Sequence, residues 1–279
     1  MKGKVVVITG ATSGIGEVAA QRLAGMGARI VLVARDAARG QRTLTRLPTS
    51  GAPPHSIYYG DLSRIFECKR VAAEIAAAEP RIDVLINNAG ALFGTRQLTA
   101  DNLEQTFATN HMAYFVLTLK LKANLLAAPQ ARVVSTASDA HKGYTLDFDD
   151  LQASKGYLAI RAYGRSKLCN ILFTRELARR WGGTGVTANC LHPGFVATRF
   201  GDGSGGFLST GIRIAKTFAI SPEKGAETIV YLASSPEAAG ISGEYFYKCR
   251  PATPTAGGRD DAAAARLWNE SAKLAGIEN

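Results

Sequence analysis

Val5-Val6-Val7-Ile8-Thr9-Gly10-Ala11-Thr12-Ser13-Gly14-Ile15-Gly16 stands near the start of the chain and holds most of what decides its fold. Val5–Ile8 is apolar at every position, with no polar alternation, and so reads as a strand covered on both faces. The glycines that follow allow a tight turn and a close approach of backbone to a bound group. Helical periodicity begins at once, near 15–26. A helix that starts directly after such a turn aims its unpaired N–H groups and its positive dipole end into the turn, which suits a phosphate. The spacing is GxxxGxG, not the GxGxxG of the general dinucleotide fingerprint. Its place between the first strand and the first helix makes Gly10, Thr12, Ser13, Gly14, Ile15 and Gly16 candidate contacts to a pyrophosphate.

Outward from this turn, short β-branched runs alternate with longer helical stretches. Strands are expected at Val5–Ile8, Arg29–Val33, Ser56–Tyr59, Val84–Ile86, Arg132–Ser135, Val186–Leu191 and Glu244–Tyr247. Helical patterns lie near 15–26, 37–46, 64–78, 101–127, 160–181, 222–234 and 260–275. Such alternation predicts a single doubly wound (Rossmann) α/β domain over residues 1–279, with a mostly parallel seven-stranded sheet and helices on both faces. No Pro-, Gly- or Ser-rich linker divides it. The flexible Gly201-Asp-Gly-Ser-Gly-Gly206 and the amphipathic stretch Phe207 to Ile220 predict a substrate lid near 200–220.

Composition narrows the function. At 279 residues, 46% hydrophobic and 20% charged, the chain has an ordinary globular balance. The apolar run at Val5–Thr9 is too short for a signal sequence, and no stretch approaches the roughly 18 apolar residues of a membrane span. Cys68, Cys169, Cys190 and Cys249 are scattered, with no CxxC and no clustered histidine, so neither a disulfide framework nor a metal site is expected and a reducing cytoplasm fits best. The formal charge of +10 is spread over the whole length with no basic run, which predicts no nucleic-acid partner and fits a polyanionic ligand.

The end of the second strand reads Val33-Ala34-Arg35-Asp36. An arginine there accommodates a ribose 2′-phosphate, whereas an acidic residue accepts hydrogen bonds from a free 2′-hydroxyl. Arg35 comes first and favours NADP; Asp36 keeps NAD open. Further along, Tyr163 and Lys167 share a helix face at i and i+4. A free phenol, with pKa ~10, is a poor base near neutrality, and a neighbouring ammonium favours its ionised form. After the strand Arg132–Ser135 comes Thr136-Ala137-Ser138, which places a hydroxyl at the C-terminal edge of the sheet, where ligands bind in open α/β folds. Asn87-Asn88-Ala89-Gly90 reaches the same edge, and Asn110 interrupts an apolar helix.

Together these residues resemble the short-chain dehydrogenase/reductase family over nearly the whole chain. The glycine turn, Asp61-Leu62, Asn87–Gly90, Asn110, Ser138, Tyr163/Lys167 and Pro193-Gly194-Phe-Val196-Ala-Thr198 follow the family's order. Ser138-Asp-Ala-His141, Tyr163-Gly-Arg-Ser-Lys-Leu-Cys-Asn170, Leu-His-Pro-Gly194 and Ser242-Gly-Glu-Tyr-Phe246 are most similar to its retinol-dehydrogenase-like branch. The resemblance implies that Tyr163 transfers the proton, that Lys167 holds the nicotinamide ribose, and that Ser138 binds the substrate oxygen. It implies that Asn110 anchors a water relay to Lys167, that Asp61 and Leu62 flank the adenine, and that Asn88, Ala89 and Gly90 line the cofactor. Pro193, Gly194, Val196 and Thr198 would clasp the carboxamide.

Members of that branch often carry an amino-terminal membrane anchor, and none is expected here. Thr136 replaces a serine common in relatives and is expected to matter little. The long stretch 139–162 is expected to form a substrate-side loop. Tyr157 is out of register for the wider Tyr–Lys spacing of enoyl reductases. His141 is a candidate for the substrate mouth, while His55, His111 and His192 read as structural. The expected activity is an NADP-dependent interconversion of a small hydrophobic alcohol and its carbonyl, with no integral membrane segment and a homodimer left open. The competing readings are a catalytically silent dinucleotide-binding scaffold and a membrane-surface protein acting through 207–220.

Overall fold

The computed structural model describes residues 1–49, 53–194 and 220–278. They build one sheet in the order β3-β2-β1-β4-β5-β6-β7-β8. The strands are β1 (Val5–Thr9), β2 (Arg29–Ala34), β3 (Ser56–Tyr59), β4 (Val84–Asn87), β5 (Arg132–Thr136), β6 (Thr187–Leu191), β7 (Tyr245–Tyr247) and β8 (Arg250–Ala252). All neighbours are parallel except β7 and β8.

Register explains why the strands carry no polar alternation. Val7 pairs with Val31 and Leu85, and Leu85 with Val133, giving one apolar row. Ile8 pairs with Leu32 and Ile86, and Ile86 with Val134, giving a row on the opposite face. Each row enters its own buried cluster. On the first face lie α3 (Ile65–Ala78), α5 (Ala113–Lys120), α7 (Ala159–Arg180) and α10 (Asp261–Ala275). On the second lie α1 (Gly14–Gly25) and α9 (Glu227–Ser234). Two covered faces require apolar residues at every strand position.

Two expectations need correction. The sheet has eight strands, not seven. β8 pairs antiparallel with β7 across Lys248 (φ 50°) and Cys249 (φ 60°), both left-handed. A hairpin turn of that shape is usually signalled by Asn-Gly or Asp-Gly, and Pro251 is tolerated because β8 is an edge strand. The stretch 101–127 is not one helix. It runs as α4 (Gln105–Phe107), a π-helical turn (Ala108–Met112), α5, and α6 (Lys122–Leu126). The remaining short helices are α2 (Ala37–Arg46) after β2 and α8 (Pro222–Gly225) before α9.

The chain leaves β1 toward β2 and β3 on one side and continues from β4 toward β5 on the other. The crevice beyond the C-terminal ends of β1 and β4 is therefore the place where the fold can receive a ligand.

Candidate active site

At the end of β1, Gly10 (φ 66°) and Gly14 (φ 59°) adopt left-handed backbone. A Cβ at Gly10 would stand 2.7 Å from the Ala89 Cα, and one at Gly16 would overlap Asn88 Nδ2 and the Gly10 carbonyl oxygen. The turn thus lies against the end of β4 with no room for a side chain. Ser13, the N-cap of α1, makes no side-chain cap bond, which leaves first-turn N–H groups facing the crevice. An anion is the natural partner for that end.

Asn88 ties three strand ends together. Its Nδ2 donates to the Thr9 and Gly10 carbonyls at 3.2 and 3.1 Å, and its Oδ1 accepts from Thr136 Oγ1 at 3.2 Å. Thr9 Oγ1 accepts from the Asn88 and Ala89 N–H groups, both at 2.9 Å. Asn88 and Ala89 hold the glycine turn in place, and Gly90 continues toward Asn110 and Lys167.

At the end of β2, Arg35 is exposed and forms no hydrogen bond or ion pair among the described residues. Asp36 is committed elsewhere: its Oδ1 caps α2 by accepting from the Arg39 N–H at 2.8 Å, and its Oδ2 lies 3.3 Å from Arg39 Nε. The backbone hydrogen bond from Arg39 holds the Asp36 pKa below the usual carboxylate range. The acid that kept a free 2′-hydroxyl open is therefore already serving the helix, while the guanidinium beside it is available. Asp61 and Leu62 follow β3 at the same sheet edge, where Asp61 Oδ1 accepts from the Ser63 N–H at 3.1 Å. An anionic dinucleotide fits this set: an open helix N-terminus, a glycine turn without side chains, and a free guanidinium.

The chemistry-bearing side chains meet beyond β5. Lys167 is buried, and its Nζ donates to the Thr136 carbonyl at 2.9 Å. Asn170, one turn further along α7, donates to the same oxygen at 3.2 Å. Tyr163 is half-buried, and its hydroxyl shares a side-chain hydrogen bond with Ser138. Lys167 Nζ lies 5.6 Å from the Tyr163 ring centroid and 5.8 Å from that of Tyr114. Burial pushes the Tyr163 phenol well up, with the Ser138 hydrogen bond opposing it, and pulls Lys167 down to about 7. Both groups are thus held toward their neutral forms.

Asn110 lies on the π turn, a helix irregularity common at functional sites. Its Oδ1 accepts from the Ala91 N–H at 2.8 Å, while Nδ2 donates to the Ala91 carbonyl and to Ser166 Oγ, both at 2.9 Å. Ser166 Oγ donates in turn to the Tyr163 carbonyl at 2.7 Å. The Asn110 side chain therefore anchors the strand-β4 loop to α7, and only one Oδ1 lone pair is left for a water. A Cβ at Gly90 would stand 3.3 Å from both Asn110 Oδ1 and Lys167 Nζ, so the three positions converge.

Thr136 does more than the sequence suggests, since its hydroxyl steadies Asn88 and its carbonyl seats Lys167. Asn170 ends a motif that the sequence offers without a task for it; a bond to a backbone carbonyl leaves no side-chain pattern to read. His141 does not line the mouth. It is fully buried, with Nδ1 donating to the Ser138 carbonyl at 2.7 Å and Nε2 accepting from the Thr255 N–H at 3.3 Å. It shapes the Ser138 loop from beneath. His55 accepts the Ile30 N–H at 3.0 Å at the sheet edge, and His111 meets Ser271 Oγ at 2.7 Å in the core. Tyr157 is tied to the Phe93 carbonyl at 2.7 Å. Part of the 139–162 loop is pinned to α7, where Arg165 Nη2 donates to the Asp147 and Asp150 carbonyls, both at 3.0 Å. Pro193 and Gly194 follow β6 at the same sheet edge. Val196, Thr198 and the expected lid lie outside the described residues. No cluster of potential metal ligands occurs among the described residues, and no helix there is long and apolar enough to cross a membrane.

Comparison with known proteins bears on this arrangement. Residues 4–205 match the family model described as short chain dehydrogenase. Human retinol dehydrogenase 14 is 37% identical over 298 residues, an alignment that takes in 99% of this chain and 88% of that protein. A short chain dehydrogenase from Burkholderia cenocepacia J2315, solved in complex with NADP, superposes with a TM-score of 0.70 at 25% identity, over 88% of this chain and 96% of that one. A single-site variant of actinorhodin polyketide ketoreductase, solved with NADPH, gives 0.68 at 26% identity, over 87% and 94% of the two chains.

Proposed function

The chain belongs to the short-chain dehydrogenase/reductase family, in its retinol-dehydrogenase-like branch, and from that premise we propose an NADP-dependent oxidoreductase that interconverts a hydrophobic alcohol and its ketone or aldehyde. The observation that carries the reading is the convergence of Tyr163, Ser138, Lys167 and Gly90 beside a glycine turn at the C-terminal edge of the sheet.

Gly10, Thr12, Ser13, Gly14, Ile15 and Gly16 would hold the pyrophosphate, Arg35 the 2′-phosphate, and Asp61 and Leu62 the adenine. Asn88, Ala89, Gly90, Lys167, Pro193, Gly194, Val196 and Thr198 would hold the nicotinamide half. When bound, the nicotinamide supplies or accepts hydride. The rest is done by the chain. Ser138 Oγ donates a hydrogen bond to the substrate oxygen and orients it beside the Tyr163 hydroxyl. Tyr163 gives its proton to that oxygen in reduction, and its raised pKa keeps it protonated and ready at neutral pH. In oxidation the phenolate must form. A proton on Lys167, whose pKa burial lowers to about 7, then stabilises it by charge. The four unpaired cysteines accord with a reducing cytoplasm.

The free Arg35 and the committed Asp36 support NADP over NAD. A charge-assisted bond to the 2′-phosphate contributes roughly 1.5–3 kcal/mol, about ten- to a hundredfold in affinity. Arg35→Ala should therefore weaken NADPH binding by that factor and leave NADH nearly unchanged in calorimetry. A panel of aldehydes and ketones screened for NADPH consumption tests the activity. Turnover of none of them, with equal effects of Arg35→Ala on both nucleotides, would reject the reading.

A further inference from the structure

The loops that follow β5 and β6 are joined by side chains to which the proposed chemistry gives no task. His192 is the first residue after β6 and stands directly before Pro193-Gly194. Its Nδ1 accepts the Gly194 N–H at 3.1 Å. That bond fixes the tautomer: the ring proton sits on Nε2, which faces Asp139 Oδ2 at 3.7 Å. Asp139 is the residue after Ser138. Its carboxylate also accepts from the Tyr245 hydroxyl at 3.1 Å and from Lys142 Nζ at 2.9 Å. The imidazole stacks on Tyr247 at 4.4 Å and lies parallel to Tyr245 at 6.4 Å.

A side-chain acceptor that takes the N–H two residues on closes the same small ring as an aspartate or asparagine turn. Pro193 inside that ring has no N–H to compete. Gly194 adopts φ 92°, which costs a glycine little. We infer that His192 is a positioning residue: through Nδ1 it closes the Pro193–Gly194 turn, and it does so beside Asp139, the carboxylate that follows Ser138 across the site. The inference rests on the proposed assignment of Pro193 and Gly194 to the nicotinamide carboxamide.

Only the neutral ring can do this. Protonation makes Nδ1 a donor facing a donor, and the turn loses its closure. The groups that face the ring are Asp139, Lys142, His141, Tyr245 and Tyr247. Burial lowers the His192 pKa most, Asp139 raises it, and Lys142 and His141 lower it, so the net direction is down and the ring is neutral at neutral pH.

The test compares His192→Leu, which removes the acceptor, with His192→Asn, whose side-chain oxygen can accept the same N–H and does not titrate. Binding of NADP⁺, which survives acid, is measured by calorimetry at pH 7.5 and 5.5, with thermal melts to establish that each variant is folded. His192→Leu should bind about tenfold more weakly at pH 7.5, the weight of one hydrogen bond. His192→Asn should bind like the wild type at pH 7.5 and lack the part of the acid-side loss that belongs to His192. In the free wild-type protein, ¹⁵N shifts should show His192 Nδ1 unprotonated. Unaltered binding by folded His192→Leu, equal losses in both variants, or an Nδ1–H tautomer would overturn the clamp. Because the tautomer is read without cofactor, it judges the Gly194 bond separately from the functional reading, which the carbonyl panel and the Arg35→Ala comparison test.

Discussion

At the scale of single residues, the site rests on two groups of opposite type, the half-buried Tyr163 phenol and the buried Lys167 ammonium. If Tyr163 carries the proton, Tyr163→Phe should abolish turnover in an NADPH-oxidation assay while retaining fold and cofactor affinity, since only the transferable proton is gone. Ser138→Ala should retain cofactor affinity and lose on the order of 2–4 kcal/mol of transition-state stabilisation, as for one lost oxyanion donor. Substantial reductase activity in Tyr163→Phe would reassign the proton donor. Lys167 makes a second, independent prediction. Burial lowers its pKa from 10.5 to about 7 in the fold. Between these values the unfolded chain binds the proton and the folded chain does not, so stability rises with pH across that window. The slope is at most about 1.4 kcal/mol per pH unit. Denaturant titrations from pH 7 to 10 should show this rise in the wild type and not in Lys167→Met. Above pH 10 the raised Tyr163 pKa acts oppositely, because the unfolded phenol ionises first and stability falls. Parallel curves for the two proteins would mean that Lys167 is solvated. Tyr163 and Lys167 were legible because helical spacing places them on one face, and Ser138 because it closely follows the end of a strand. The Thr136 carbonyl that receives Lys167 and Asn170 was not, since every residue type possesses one.

At the scale of elements, the sequence reads well where one physical cause dominates. Strands β1, β2 and β4 were legible because two covered faces leave them almost wholly apolar. α7 was legible through its i, i+4 pattern. Reading fails where backbone conformation departs from what composition signals. The π turn around Asn110 and the left-handed Lys248-Cys249 turn carry no residue that demands them. The glycine turn is the reverse case, since its composition is imposed by contact. A methyl at Gly16 would overlap both Asn88 Nδ2 and the Gly10 carbonyl oxygen. Asn88 cannot yield without giving up its bonds to Thr9, Gly10 and Thr136. Gly16→Ala should therefore cost about 1–3 kcal/mol as overpacking and weaken NADPH binding together with stability. Chemical denaturation and calorimetry on one preparation check both. A variant with wild-type values in each would show that the turn and β4 are not in fixed contact.

At the scale of the whole molecule, the two faces of the sheet are closed differently, and the catalytic side depends on the C-terminal helix. α10 places Leu267, Trp268 and Ala272 against the face that also holds α5 and α7. Trp268 lies 5.1 Å edge-on from Phe115, stacks at 5.9 Å on Phe173, and carries the Arg180 guanidinium at 4.7 Å. One turn away, Ser271 meets His111 at 2.7 Å; burial holds that imidazole neutral, with its pKa down to about 3. His111 is the neighbour of Asn110 on the π turn, so α10 supports from behind the turn that ties Ala91 to α7. Removing an indole from such a contact leaves a cavity that the flanking rings cannot fill. Trp268→Ala should cost about 3–5 kcal/mol, within the range for buried aromatic deletions. For a chain of this size that corresponds to a Tm lower by roughly 6–20 °C. Because Tyr163, Ser138 and Lys167 have other supports, kcat/KM well below the new Tm should change much less than stability does. Trp268→Phe should recover part of the loss by keeping one ring on Phe173. A melting curve unchanged in Trp268→Ala would show that α10 lies on a finished core rather than completing it.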